Sequence, residues 1–307
     1  MENYEMSKEK QNVKGWKYYN HAAIPTTAPH EEPNLDAVKN GEIWNINGEK
    51  PLFVRYCTNW DCEKETGWWY IIKESPFDIQ EFSSKRRKHI NQALKKCKVV
   101  LINPNEHLEE LYEVYKSAFN RYENADNEKK FEEFKLNCLE EFNSGVEFWA
   151  GFTIEKSKLV GYMTIKKFND YVESCTAKYH PDYLKYRISD AIHYAVLNEY
   201  LNIQKKRYMS SGSRNINHVT NAQEYKIESF NFRRAYCKLH IIYKPVVGLV
   251  IKILYPFRKI IRKYDRILIL HQIAGVLKME EIRRKYEWTS IYYNAIFQYW
   301  KIYKKNY

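Results

Sequence analysis

No run of eighteen or more apolar residues occurs in the 307-residue chain, so no segment reads as a membrane-spanning helix. The first residues, Met1-Glu2-Asn3-Tyr4-Glu5-Met6-Ser7-Lys8, lack an apolar core and do not read as a secretory signal. There is no C-x-x-C pair either. Cys57, Cys62, Cys97, Cys138, Cys175 and Cys237 are scattered, which implies neither a zinc site nor a disulfide framework and points to a reducing, cytoplasmic compartment. His180, His193 and His218 show no H-E-x-x-H spacing, so no metal is expected. Acids are scarce near the C-terminal end. Residues 247–307 hold thirteen Lys or Arg against four acids, a net +9 of the chain's +12, which points to an anionic partner for that segment.

Apolar and aromatic residues are plentiful, at 44% and 16%, which excludes a disordered chain. Their patterning divides the sequence into three parts. Residues 1–82 begin as a polar, irregular stretch broken by Pro25, Pro29 and Pro33, followed by strands at Leu52–Thr58 and Trp68–Lys73. Phe77–Lys96 reads as one long basic helix. Residues 83–245 form the second part and carry the clearest order. A strand, Lys98–Asn103, precedes helices at Leu108–Asn120 and Phe131–Phe142. Three strands follow, Glu147–Ile154, Leu159–Phe168 and Tyr171–Tyr179, joined by the short polar linkers Glu155-Lys156-Ser157-Lys158 and Asn169-Asp170. Next come a helix at Ile188–Ile203, with Ile188, Ala191, Ile192, Ala195, Val196 and Tyr200 on one face, and a strand at Arg207–Ser211. A helix at about Thr220–Phe230 and a strand at Tyr236–Tyr243 complete this part. The third part, 246–307, reads as basic and helical: Val246–Leu254, Phe257–Leu270, about Gln272–Tyr286 and Thr289–Tyr303.

Hairpin, third strand, helix, strand, helix, strand is an order few folds use. With the basic helix around Ser83-Ser84-Lys85-Arg86-Arg87-Lys88-His89-Ile90-Asn91-Gln92, it resembles the GNAT N-acyltransferase superfamily, and within it the branch of the Fem-type peptidyltransferases. The resemblance spans roughly residues 83–245 and implies an α+β fold, a mixed and mainly antiparallel twisted sheet flanked by helices, here with a helical basic C-terminal tail. It implies transfer of an acyl or aminoacyl group from a thioester or ester donor to an amine, or a hydroxyl, of a sugar, lipid or peptide intermediate. In that fold the donor lies where the third strand and the next one splay apart.

The resemblance assigns site residues one by one. Glu173, in mid-strand, corresponds to a general base for the amine; Tyr225, on the last helix, is the candidate proton donor for the leaving group, although the family's usual tyrosine position, four residues before Asn231-Phe232, holds Ile227 here. Cys175 and Ala177 lie on the donor-facing strand. The helix start at Tyr186–Ala191 corresponds to the pyrophosphate loop of acyl-CoA (acetyl-CoA) enzymes, with Arg187, Ser189 and Asp190 as contacts. Arg187 and Ala191 keep the motif's positions, but the loop has no glycine, and Asp190 would repel a pyrophosphate. Fem-type enzymes have lost the same loop and take their aminoacyl group from tRNA. Ser211, Gly212, Ser213 and Arg214 end the next strand, where they would cradle an acyl carbonyl or a phosphate.

Two other readings stand beside transfer. The fold could be retained for binding with catalysis lost, or Lys85-Arg86-Arg87-Lys88 could bind RNA electrostatically. Residues 246–270, with aliphatic and aromatic residues beside paired bases, read as an interfacial helix on an anionic membrane. That would make the protein peripheral at the inner face of the membrane.

Overall fold

A computed structural model describes residues 13–121, 128–216, 221–264, 267 and 269–285. The described residues divide into two compact units, one drawn from 1–70, 213–219 and 234–307, the other from 71–212 and 220–233.

In the first unit, β1 (Trp16–Tyr19) and β2 (Ala22–Pro25) pair as an antiparallel hairpin, and β2 runs parallel to β3 (Phe53–Thr58). This hairpin lies in a region whose prolines suggest irregular chain. Its two-residue turn, Asn20-His21, has both φ angles positive, the twist a tight hairpin needs, without the glycine that normally marks it. β4 (Trp68–Glu74) has residues in both units. β10 (Arg233–Tyr243) pairs antiparallel with β3 and alternates buried Ala235, Cys237, Leu239 and Ile241 with more exposed neighbours, as a strand covered on one face should. A short helix, α1 (Asp36–Lys39), precedes β3; α7 (Pro245–Leu254) and α8 (Arg258–Lys263) follow β10. The helix expected over Phe257–Leu270 stops at Lys263, and a separate helix covers 269–285. Ile282 of that helix joins Trp68, Phe53 and Leu239 in the core. The helix expected at Thr289–Tyr303 lies outside the described residues.

The second unit opens with α2. The expected helix over Phe77–Lys96 is shorter, α2 (Ser84–Leu94), because two caps intervene. Asp78 caps a single turn over Ile79–Glu81, and the Ser83 side chain accepts from the Arg86 N–H to start α2 afresh. Then come β5 (Cys97–Ile102), α3 (Leu108–Phe119), α4 (Phe131–Asn143), β6 (Val146–Thr153), β7 (Leu159–Lys167) and β8 (Tyr171–Tyr179). α5 (Ile188–Leu197) continues into a wider π turn at Asn198–Ile203. β9 (Tyr208–Ser213) and α6 (Ala222–Phe230) complete the unit. β5 to β8 pair antiparallel in chain order, and β9 adds to β8 in parallel. β7 is buried from Leu159 to Ile165 because α3 and α5 both pack against it. The sheet of this unit is mixed and mainly antiparallel and is flanked by helices, the α+β arrangement expected from the sequence.

The α5 face expected from its apolar spacing is the one that packs. Ile188, Ala191, Ile192 and Val196 are wholly buried, and the approach to β6 is close. A Cβ at Gly151 would lie 2.4 Å from Cδ1 of Ile188 and 3.0 Å from Cδ1 of Ile192. Gly151→Ala is therefore expected to destabilise the fold by about 1–3 kcal/mol through overpacking, read from chemical denaturation.

Candidate active site

The parallel pairing of β8 and β9 is brief. It holds at Tyr171–Tyr208, Val172–Met209 and Glu173–Ser210, and no further pair follows, although β8 continues to Tyr179 and β9 to Ser213. Beyond Glu173 the register with β7 also slips: Ser174 pairs with Ile165 and Thr176 with Thr164, leaving Cys175 as the extra residue of a bulge. A bulge bends its strand and increases the twist, which takes β8 away from β9. The two strands therefore diverge from the Glu173–Ser210 pair onward.

A lysine bridges the first residue of each strand past that pair. Lys226 Nζ donates to Ser174 Oγ and to Ser211 Oγ, both at 2.7 Å. It comes from α6, where Phe230 lies one turn on and is wholly buried, so Lys226 stands on the inward face. Only 8% of Lys226 is exposed. Burial pulls its pKa down from 10.5 to about 8, against the attraction of Cys175 and Glu173. At neutral pH the group is still mostly an ammonium: a desolvated cation held where two strands part.

Glu173, half-buried on β8, faces Gly212, whose position would bring a Cβ within 3.8 Å of Glu173 Oε1. Gly212 has φ +79, a conformation that suits glycine, and its N–H donates to Ser210 Oγ at 3.0 Å. Glu173, Ser211 and Gly212, expected from the sequence, thus converge with Ser174 and Lys226, which were not. Cys175 is exposed on the bulge, and Ala177 lies farther along β8.

The start of α5 forms a second group. Arg187 sits in the left-handed region, φ 58, and its guanidinium donates to His89 Nδ1 at 3.1 Å. No side chain caps this helix. Asp190 is almost wholly buried: its Oδ1 accepts from Arg86 of α2 and, at 3.1 Å, from the Tyr225 hydroxyl. Arg86 also donates to Ser229 Oγ. Ser189 Oγ lies 3.2 Å from the Tyr225 hydroxyl. Burial, and next the Asp190 charge, push the Tyr225 phenol up to about 12. His193 stacks on Phe230 and donates from Nδ1 to the Ser189 carbonyl at 2.8 Å. Its burial, helped by Lys226, lowers its pKa to about 3, so it is neutral.

These residues do not fit a pyrophosphate pressed onto a helix N-terminus. That contact needs glycine to bring the backbone close and free N–H groups facing an anion. Here the first turn carries a buried carboxylate, and Arg187 is turned toward His89. The Tyr225 hydroxyl, expected as a proton donor, is hydrogen-bonded to the Asp190 carboxylate. Ser213 and Arg214 belong to the first unit, where Arg214 Nη1 donates to the Gly67 carbonyl at 2.7 Å and its guanidinium stacks 4.3 Å from the Trp69 ring. His218 lies outside the described residues.

The basic string on α2 is partly spent inside the unit. Arg86 pairs with Asp190, and Arg87 donates to the carbonyls of Gln80 and Phe82, leaving Lys85 and Lys88 exposed. Lys226 had one sequence signal: it stands four residues from Phe230 on α6, so it shares the apolar face. Arg86 had none, because its partner is 104 residues away.

No family model matches the chain, and no curated protein matches it. Among solved structures, FemX matches with a TM-score of 0.51 at 9% identity, covering 70% of this chain and 78% of its own. L-PGS from Bacillus licheniformis matches at 13% identity and TM-score 0.45, covering 78% and 83%. A PaiA N-acetyltransferase from Thermoplasma acidophilum, in complex with coenzyme A, is 16% identical with TM-score 0.30, covering 36% of this chain and 74% of its own. The likeness to FemX is one of fold.

Proposed function

Because the chain has a GNAT-like fold of which Fem-type proteins are members, we propose that it transfers an acyl or aminoacyl group from an ester or thioester donor to an amine. The observation that carries this reading is the buried ammonium of Lys226 at the divergence of β8 and β9. A cation there, largely removed from water, stabilises the negative charge that grows on a carbonyl oxygen under attack. Ser174 and Ser211 hold the ammonium in place, so little reorganisation is needed when the charge develops. The amine nitrogen attacks the carbonyl carbon, and Glu173 accepts the proton that nitrogen must lose. As the tetrahedral intermediate collapses, the carbon–oxygen or carbon–sulfur bond breaks, and the proton passes to the departing oxygen or sulfur.

In this reading residues 83–245 hold the chemistry, Tyr225 and Asp190 position α5 against α6, and of the two donor classes the site favours an ester over acyl-CoA. The poor fit of the α5 start to a pyrophosphate supports that choice. Aminoacyl-tRNA is the ester donor implied by the sequence resemblance, and exposed Lys85 and Lys88 would help hold an RNA. The acceptor is an amine of a sugar, lipid or peptide intermediate.

Mass-spectrometric screening of aminoacyl-tRNAs and acyl-CoAs against such amines tests the reaction. Transfer from an ester donor is the expected result; no product from any donor would overturn the reading. Glu173→Gln should then lower single-turnover transfer by roughly 10²–10⁴-fold, with donor affinity unchanged. An unchanged rate would remove Glu173 from the mechanism.

A further inference from the structure

α7 and α8 pack with one side and leave a second apolar side in water. Inward, Ile251 is buried, and Arg258 and Arg262 pair with Glu281 of the 269–285 helix. Outward, Val246, Leu249, Val250, Ile253, Phe257 and Ile260 recur every three or four residues and are 46–74% exposed. Such spacing places them on one continuous stripe. An exposed apolar stripe of this length marks an interaction surface.

The charges beside the stripe have one sign. Residues 244–264 contain six Lys or Arg and no acid. With Arg258 and Arg262 engaged by Glu281, and Lys244 half-buried over the Trp44 ring, the exposed bases are Lys252, Lys259 and Lys263. They also recur at intervals of four to seven residues and so run alongside the stripe.

We propose that this stripe inserts into the headgroup region of an anionic bilayer, with Lys252, Lys259 and Lys263 on the lipid phosphates. Charge selects this occupant. A second copy of the chain, placed stripe to stripe, would bring two rows of lysines together with no acid on either to offset them. A bilayer offers fluid apolar area and dispersed negative charge, which matches a stripe of aliphatic and aromatic residues flanked by cations. No helix among the described residues is long and apolar enough to cross a membrane, so the contact is with one leaflet. The surface lies outside the catalytic residues and does not depend on the reaction proposed for them.

Sedimentation of the full chain with vesicles tests this. The protein should pellet with phosphatidylglycerol–phosphatidylcholine vesicles at low salt, stay in solution with phosphatidylcholine alone, and be released as salt rises. Replacing Lys252, Lys259 and Lys263 together by Glu should lower the partition coefficient by about a hundredfold or more. A triple Leu249→Ser, Ile253→Ser, Ile260→Ser variant should lose binding even at low salt. Both variants change exposed residues, and unchanged circular dichroism and thermal unfolding would confirm that they fold. The proposal fails if wild-type protein stays in the supernatant with anionic vesicles at low salt, or if both variants bind as wild type does. It also fails if vesicle-free protein self-associates and the serine variant alone becomes monomeric, because the stripe would then be a contact between copies.

Discussion

Lys226→Met is expected to slow transfer by orders of magnitude while raising the midpoint of thermal unfolding. Burial pulls the Lys226 pKa from 10.5 down to about 8, so the fold holds this ammonium against a penalty. At neutral pH that penalty is about 3 kcal/mol. Methionine fills a similar volume without charge, although Ser174 and Ser211 lose a partner, which returns about 1 kcal/mol. The net gain should be about 2 kcal/mol, visible as a higher unfolding midpoint. The pH dependence has a definite sign. The unfolded chain binds the proton more tightly, so wild-type stability should rise as pH increases from about 8 to 10.5, and the variant should lack that rise. Transfer should fall by roughly 10²–10³-fold, the usual effect of removing one group that stabilises an oxyanion. A variant that is more stable and still active would make Lys226 a structural residue.

Asp190→Ala should have the largest effect on stability, a loss of about 3–5 kcal/mol. It leaves the largely buried Arg86 guanidinium over the Tyr225 and Phe230 rings with its hydrogen bond to Ser229 but without its counter-charge, and takes the acceptor from the Tyr225 hydroxyl. Three helices depend on that carboxylate: α2 through Arg86, α5 through Asp190 itself, α6 through Tyr225 and Ser229. Replacing both charges, Arg86→Met with Asp190→Leu, should recover most of the loss, since the cost lies in an uncompensated charge more than in the absent pair. Urea denaturation of the two variants and the wild type checks this. Equal destabilisation by the single and double changes would show that Arg86 reaches water once Asp190 is gone.

The strand order from β6 to β9 was legible because its signals are local. Short polar linkers joined apolar runs of strand length, and the α5 face recurred at helical spacing. The β1–β2 hairpin was not legible, because Asn20-His21 takes positive φ at both positions without a glycine. The long helix expected from Phe77 ignored two caps, Asp78 and Ser83, that each start a new turn. The site was legible only in part. Glu173 could be placed because it lies within a recognisable strand, and Ser211 and Gly212 because they lie near the end of another. Lys226 was hidden by its chemistry: a lysine on a helix ordinarily points to water, and only packing of α6 turns this one inward. Arg86 was hidden by its neighbours, since Lys85, Arg87 and Lys88 make it look like one member of a solvated patch. Its partner is on another helix far along the chain.

The most direct measurement is a crystal structure with a stable donor analogue, an aminoacyl group joined through an amide to the 3′ end of a short RNA. The account predicts the analogue's carbonyl oxygen at the β8–β9 divergence, about 3 Å from Lys226 Nζ, with the Glu173 carboxylate facing the side from which an amine would approach. An analogue bound elsewhere, with Lys226 still held by Ser174 and Ser211 and no carbonyl beside it, would contradict the account.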